Sequence, residues 1–213
     1  MYLPAHFVPG DDAVADLLTN NGAADLITST QAGLVATMLP FIFEPEVGEH
    51  GTLLGHLARN NDQWQEPAFG EALVIVRGPD SYVSPSWYPS KFEHGRVVPT
   101  WNYVTAHVYG ELIVHDDVEW VAGLVRRLTD LHEAANPSPW SADDAPSKFI
   151  AGQLRAIVGV EIRITRVQAK FKLSQNRPAA DIDGVIAGLD AAGAHDAAAA
   201  VRATRIQPNI PGS

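Results

Sequence analysis

Apolar residues follow two different periods along this chain. Through the first half they alternate or form short continuous runs, the pattern of strands. Residues 25–30 and 34–44 are rich in β-branched and aromatic side chains, and the short Gln31-Ala32-Gly33 between them suits a hairpin. Pro40 inside the second run predicts an edge or a bulge there. Residues 51–57 make another short strand, and the unbroken apolar run 72–77 fits a strand covered on both faces. Gly78-Pro79-Asp80 is expected to turn the chain before it extends again over 81–84. Residues 102–115 form the longest strand candidate. In 160–171, Val160, Ile162 and Ile164 alternate with Glu161, Arg163 and Thr165.

The helical period comes late. Asp116 or Asp117 can cap a helix whose stripe is Val118, Val121, Leu124, Val125, Leu128 and Leu131. Residues 147–158 place Phe149, Ile150, Leu154 and Ile157 on one face. After Pro178, the alanine-rich stretches 181–192 and 194–203 read as two helices split at Gly193. The expected fold is mainly β with peripheral helices (α+β), a small barrel in preference to a doubly wound sheet. One domain is expected over 1–213, with 178–206 as a C-terminal helical extension.

Composition narrows the chemistry. A chain of 213 residues can bury roughly 70% of its unfolded surface, so a core alone can hold it together. It has no cysteine, which excludes disulfides, thiolate metal sites and cysteine nucleophiles. The N-terminus lacks a basic stretch followed by an apolar core, and no apolar run approaches the ~20 residues needed to span a bilayer, so the expected location is the cytoplasm. Lys plus Arg number 15 against 25 Asp plus Glu, a balance of −10 that opposes broad contact with nucleic acid. Dinucleotide, phosphate-loop, nucleophile-elbow and zinc-protease motifs are absent. The eight histidines are scattered, with no pair at i, i+4, and read as surface or hydrogen-bonded groups.

Three stretches concentrate binding chemistry. Residues 82–109 hold six of the ten Trp and Tyr residues, interleaved with Ser84, Ser86, Ser90, Thr100 and Asn102, with Lys91 and Arg96 nearby. Flat apolar surfaces, hydrogen-bonding groups and cations together suit a planar anionic ligand, although a proline-kinked aromatic core hairpin would look the same. Residues 55–64 end a strand and begin a short helix at Asn60 or Asn61, with Arg59 beside it. This is either a phosphate seat or a capped helix with a solvated arginine. Residues 170–177 (KFKLSQNR) bring three cations together in an acidic chain, as a ligand site or as a solvated face.

These words resemble the PaiB-type FMN-binding negative transcriptional regulators. The likeness rests on Met1-Tyr2-x-Pro4-x-His6-Phe7, on residues 55–60 (GHLARN), on 82–88 (YVSPSWY) with Lys91, on 98–103 (VPTWNY) and on 171–177 (FKLSQNR), in family order. The resemblance implies an FMN-binding split β-barrel, similar to the pyridoxamine-phosphate-oxidase-like superfamily, working as a homodimer with flavin at the subunit interface. It also implies repression of transcription in bacteria. On that reading Arg59 and Lys172 offset phosphate charge. Ser174, Gln175 and Asn176 donate hydrogen bonds to it or to ring carbonyls, and Trp87 and Trp101 wall the ring. His56, Asn60, Ser86, Lys91, Thr100 and Asn102 complete the expected cofactor site. The alternative is an FMN-dependent oxidoreductase, similar to flavin reductases or nitroreductases, in which His56, His107 or Tyr109 could move protons. Heme is a further cofactor for such barrels, though no histidine is placed obviously as its ligand. Direct DNA binding by the C-terminal helix pair is not expected. Its rhythm is that of a helix-turn-helix, but it sets Asp181, Asp183, Asp190 and Asp196 against Arg202 alone.

Overall fold

A computed structural model describes residues 1–20, 22–66 and 68–206. Seven strands and six α-helices are laid out in it: β1 (Ala24–Thr30), β2 (Gly33–Leu39), β3 (Ile42–Glu44), β4 (Thr52–Ala58), β5 (Ala72–Val83), β6 (Thr100–His115), β7 (Ile157–Lys172), α1 (Asp11–Thr19), α2 (Ser90–His94), α3 (Val118–Glu133), α4 (Ser147–Leu154), α5 (Ala179–Ala191) and α6 (His195–Ile206). The chain divides into two compact units. One comprises 1–17, 77–106 and 168–213, and the other 18–76 and 107–167.

All seven strands enter the second unit, in the order β2-β1-β5-β6-β7-β4-β3. The pairs β1–β2, β1–β5, β3–β4 and β4–β7 are antiparallel. The hairpin pairs Thr30 with Gly33, as the Gly-containing spacer predicts. Pro40 does more than bulge the second run: it separates β2 from β3. β1 buries every second residue, the mark of a strand with one covered face. Helix α3 begins where Asp117 accepts from the backbone N–H of Trp120 at 2.8 Å, and buries Val121, Leu124 and Leu128. Leu124 and Leu128 cluster with Ile42, flanked by Leu54 and Trp120.

The first unit has its own core of Val83, Tyr88, Val104, Leu173, Val185, Leu189, Ala198 and Val201. The C-terminal helices belong to this core: α5 packs on α6 through Val185, Leu189, Ala198 and Val201. Gly188 lies against the Trp87 indole so closely that an added Cβ would overlap the ring. Asp181, at the start of α5, is buried and accepts from the Ser90 backbone N–H (3.1 Å) and hydroxyl (2.7 Å). Arg202 pairs with Asp190 and Arg205 with Asp183, so both helix arginines are already neutralised.

Four elements differ from the sequence expectation. Residues 78–80 do not turn, and β5 runs unbroken through Gly78. The glycine is there for proximity: a Cβ on it would come within 2.8 Å of Val104 Cγ1. Ile157 opens β7 instead of closing α4, whose Phe149 is exposed. Helix α1 was not expected, although Pro9-Gly10 followed by Asp11-Asp12 is a helix-start signal. Within the aromatic stretch a 3₁₀ turn (Pro85–Trp87) and α2, neither of them expected, join β5 to β6, its neighbour in the sheet.

Candidate functional site

The period of two in β6 puts Thr100 and Asn102 on one face. β7 ends at Lys172, and the turn after it carries Ser174, Asn176 and Arg177. These six residues line a small cavity of about 50 Å³ in the first unit. Asn102 and Ser174 are 1% and 4% exposed and exchange hydrogen bonds: the Asn102 amide donates to Ser174 Oγ at 3.0 Å, and the hydroxyl donates back to Oδ1 at 3.2 Å. Ser174 has φ of 68°, the left-handed region, the one non-glycine case among the described residues. Such a torsion costs of order 1–3 kcal/mol and persists only where surroundings over-determine it. Here the buried Asn102 and the Arg177 N–H, which donates to Ser174 O at 3.0 Å, hold it.

Charge is concentrated at this seat. Lys172 Nζ donates to the Trp101 carbonyl at 2.6 Å and to Thr100 Oγ1. Burial, then the neighbouring charges of Lys170 and Arg177, hold its ammonium below the usual lysine range. Lys170 is 8% exposed, donates to the Tyr2 carbonyl at 3.1 Å, and lies 5.6–5.8 Å from the ring centres of Tyr2, Phe7 and Tyr103. The Arg177 guanidinium lies 4.8 Å from the Tyr88 ring. Among the described residues neither Lys172 nor Arg177 has a carboxylate partner. Two cations beside a buried amide, two hydroxyls and a second amide form a donor set for a multiply charged oxyanion. A phosphate ester would relieve the repulsion that weakens Lys172. The donors therefore fit the phosphate end of FMN.

Five of the thirteen expected site residues meet at this seat: Thr100, Asn102, Lys172, Ser174 and Asn176. Gln175 faces away. Its side chain closes the local turn, accepting from Leu173 N (2.7 Å) and donating to Phe171 O (2.5 Å). Trp101 is 50% exposed, with its indole N–H on Asp80 at 2.7 Å and its ring edge-on to Tyr82. Trp87 packs against the first unit's core under α5. Ser86 is exposed and accepts from Lys91 Nζ at 3.3 Å. His56, Arg59 and Asn60 belong to the second unit. Arg59 pairs with Asp116 and donates to the carbonyls of Arg155 (2.7 Å) and Ile157 (3.2 Å). The helix start beside it is one 3₁₀ turn (Asp62–Trp64), capped by the Asn61 side chain. His56 has its Nδ1 buried without a partner, and burial holds its imidazole below the usual histidine range, as it does for His107. Arg177 was missing from the expected set, although it closes the same cationic run as Lys172. No group of three or more metal-ligating side chains is present among the described residues.

Comparison with known proteins identifies the family. Residues 1–166 match the family described as "Putative FMN-binding domain", a match that stops short of Lys172. Protease synthase and sporulation protein PAI 2 of Bacillus subtilis is 33% identical over 191 residues, 89% of each chain. An Aspergillus fumigatus protein, AFUA_5G13800, is 34% identical over 84% of this chain and 73% of its own, so relatives extend beyond bacteria. Among solved structures, the FAD and heme binding protein of Mycobacterium smegmatis superposes with a TM-score of 0.53 at 20% identity, over 76% of this chain and 71% of its own, a likeness of fold. An open antiparallel sheet with flanking helices, a cationic seat at the end of its last strand and a family match over most of the sequence converge: the chain belongs to the PaiB-type family of FMN-binding split-barrel proteins.

Proposed function

We propose that this protein is a flavin-dependent negative regulator of gene expression, holding the FMN phosphate in the seat formed by Thr100, Asn102, Lys172, Ser174, Asn176 and Arg177. The observation that carries this reading is the Lys172–Arg177 pair of cations beside Lys170, with no carboxylate partner among the described residues. A bound phosphate supplies that balance. The exposed rings of Trp101 and Tyr82, edge-on to each other, offer the isoalloxazine a wall. The protein acts as a homodimer with the flavin at the subunit interface. An interface site accounts for a seat of only about 50 Å³, since the remaining walls would come from the second copy. The sheet begins at β2, an edge strand with Leu34, Ala36 and Met38 exposed on one face, which suits burial against another subunit.

Regulation acts without the C-terminal helices contacting DNA, because Arg202 and Arg205 are committed to aspartates. No helix among the described residues is long and apolar enough to cross a membrane. The test is the visible absorption spectrum of the purified protein, with mass spectrometry of what denaturation releases, and light scattering with and without FMN. A flavin spectrum, released FMN and a dimer are expected. A colourless protein that refuses added FMN overturns the reading.

A further inference from the structure

The first unit holds a second, larger cavity of about 590 Å³, within the range of small-molecule sites. Leu17, Val104, Phe171 and Leu173 make its wall largely apolar, and Thr204 adds a hydroxyl. That hydroxyl donates to Val201 O at 2.8 Å, leaving its oxygen lone pairs to accept. The charged groups on the lining are engaged elsewhere: Arg205 with Asp183, and Asp16 with a partner of its own. An uncompensated charge would gain nothing here, whereas an apolar body would displace water from an apolar wall.

One stretch of chain separates this cavity from the anion seat. Phe171, Leu173 and Gln175 line the cavity, while Lys172, Ser174 and Asn176 line the seat. Across the end of β7 and the turn that follows, alternate residues line opposite sites, and strained Ser174 lies in the middle. We propose that the cavity is a second ligand site, distinct from the flavin seat, for an uncharged, mostly apolar small molecule bearing a hydrogen-bond donor, and that residues 171–176 couple its occupancy to the seat. The site stands on the cavity itself; the coupling rests on the reading of the seat given above. Any coupling is reciprocal, so the effector shifts FMN affinity by the factor that FMN shifts effector affinity.

The probe is Nile red, neutral and apolar, titrated into the FMN-loaded full-length protein and followed by its fluorescence. Saturable binding of one dye per chain is expected with FMN retained. Ala200→Trp, which fills the cavity, should weaken dye binding by roughly tenfold or more while the protein still binds FMN. Should that variant fail to fold, Ala203→Trp, at an exposed position on the lining, narrows the cavity without entering the core and should do the same. Displacement of the dye by FMN, or dye affinity unchanged in the folded variant, overturns the second site. Dye binding that leaves FMN affinity unaltered overturns the coupling. Failure of the seat itself would show differently, as FMN affinity that ignores Lys172→Ala while the dye still binds.

Discussion

Replacing Lys172 with alanine removes the seat's most responsive cation. The ammonium is half-buried, touches the Trp101 carbonyl at 2.6 Å, and is disfavoured by its own burial and by Lys170 and Arg177. Hydrogen bonds to a charged group contribute about 1.5–3 kcal/mol, and partial exposure argues for the lower part of that span. FMN affinity should therefore fall roughly 10- to 30-fold in Lys172→Ala. The loss must be specific to the phosphate. Riboflavin has the same ring and no phosphate, so its affinity should stay within about twofold. The assay is equilibrium titration by flavin fluorescence, run in parallel for FMN and riboflavin on the wild type, Lys172→Ala and Lys172→Arg. The pH dependence supplies a second reading. Lys172 must be protonated to meet phosphate, and its folded value lies below 10.5, so FMN affinity should decline as pH rises towards that region. Lys172→Arg, which stays charged, should lose this alkaline decline. Equal losses for FMN and riboflavin, or no loss for either, would refute the assignment.

Three further outcomes concern the scaffold. Asp181→Ala strands the buried Ser90 N–H and hydroxyl, and thermal unfolding should report a loss of about 2–4 kcal/mol with two donors unpaired. Gly188→Ala drives a methyl into the Trp87 indole and should cost about 1–3 kcal/mol in chemical denaturation, with altered tryptophan fluorescence. Burial raises the Glu161 carboxyl, but hydrogen bonds from Arg163 (2.8 Å) and His115 (2.7 Å) outweigh it and hold the group below its usual 4.5. Its contribution is complete above that pH and lost as pH falls through the lower folded value; Glu161→Gln should flatten this part of the acid-unfolding curve.

Patterning revealed the elements whose burial is periodic. β1, β4 and α3 could be read because each presents one covered face, and α5 and α6 because alanine favours helix whatever the context. Elements set by tertiary contact were hidden. Gly78-Pro79 reads as a turn until Val104 is seen occupying the space a side chain would need. For the site, the 170–177 charge run and the Thr100–Asn102 pair were visible as composition, and only folding shows that they meet. Local sequence could not reveal that α5 packs against Trp87. Arg59 looked free, because Asp116 lies 57 residues away in sequence.

Ser174 narrows what evolution can do at that position. Its torsion welcomes glycine, yet glycine abandons the hydroxyl that Asn102 requires. Threonine keeps the oxygen, but its branched β-carbon resists a positive φ. Two independent demands intersect on one small side chain, so drift there must either loosen the loop or break its tie to Asn102.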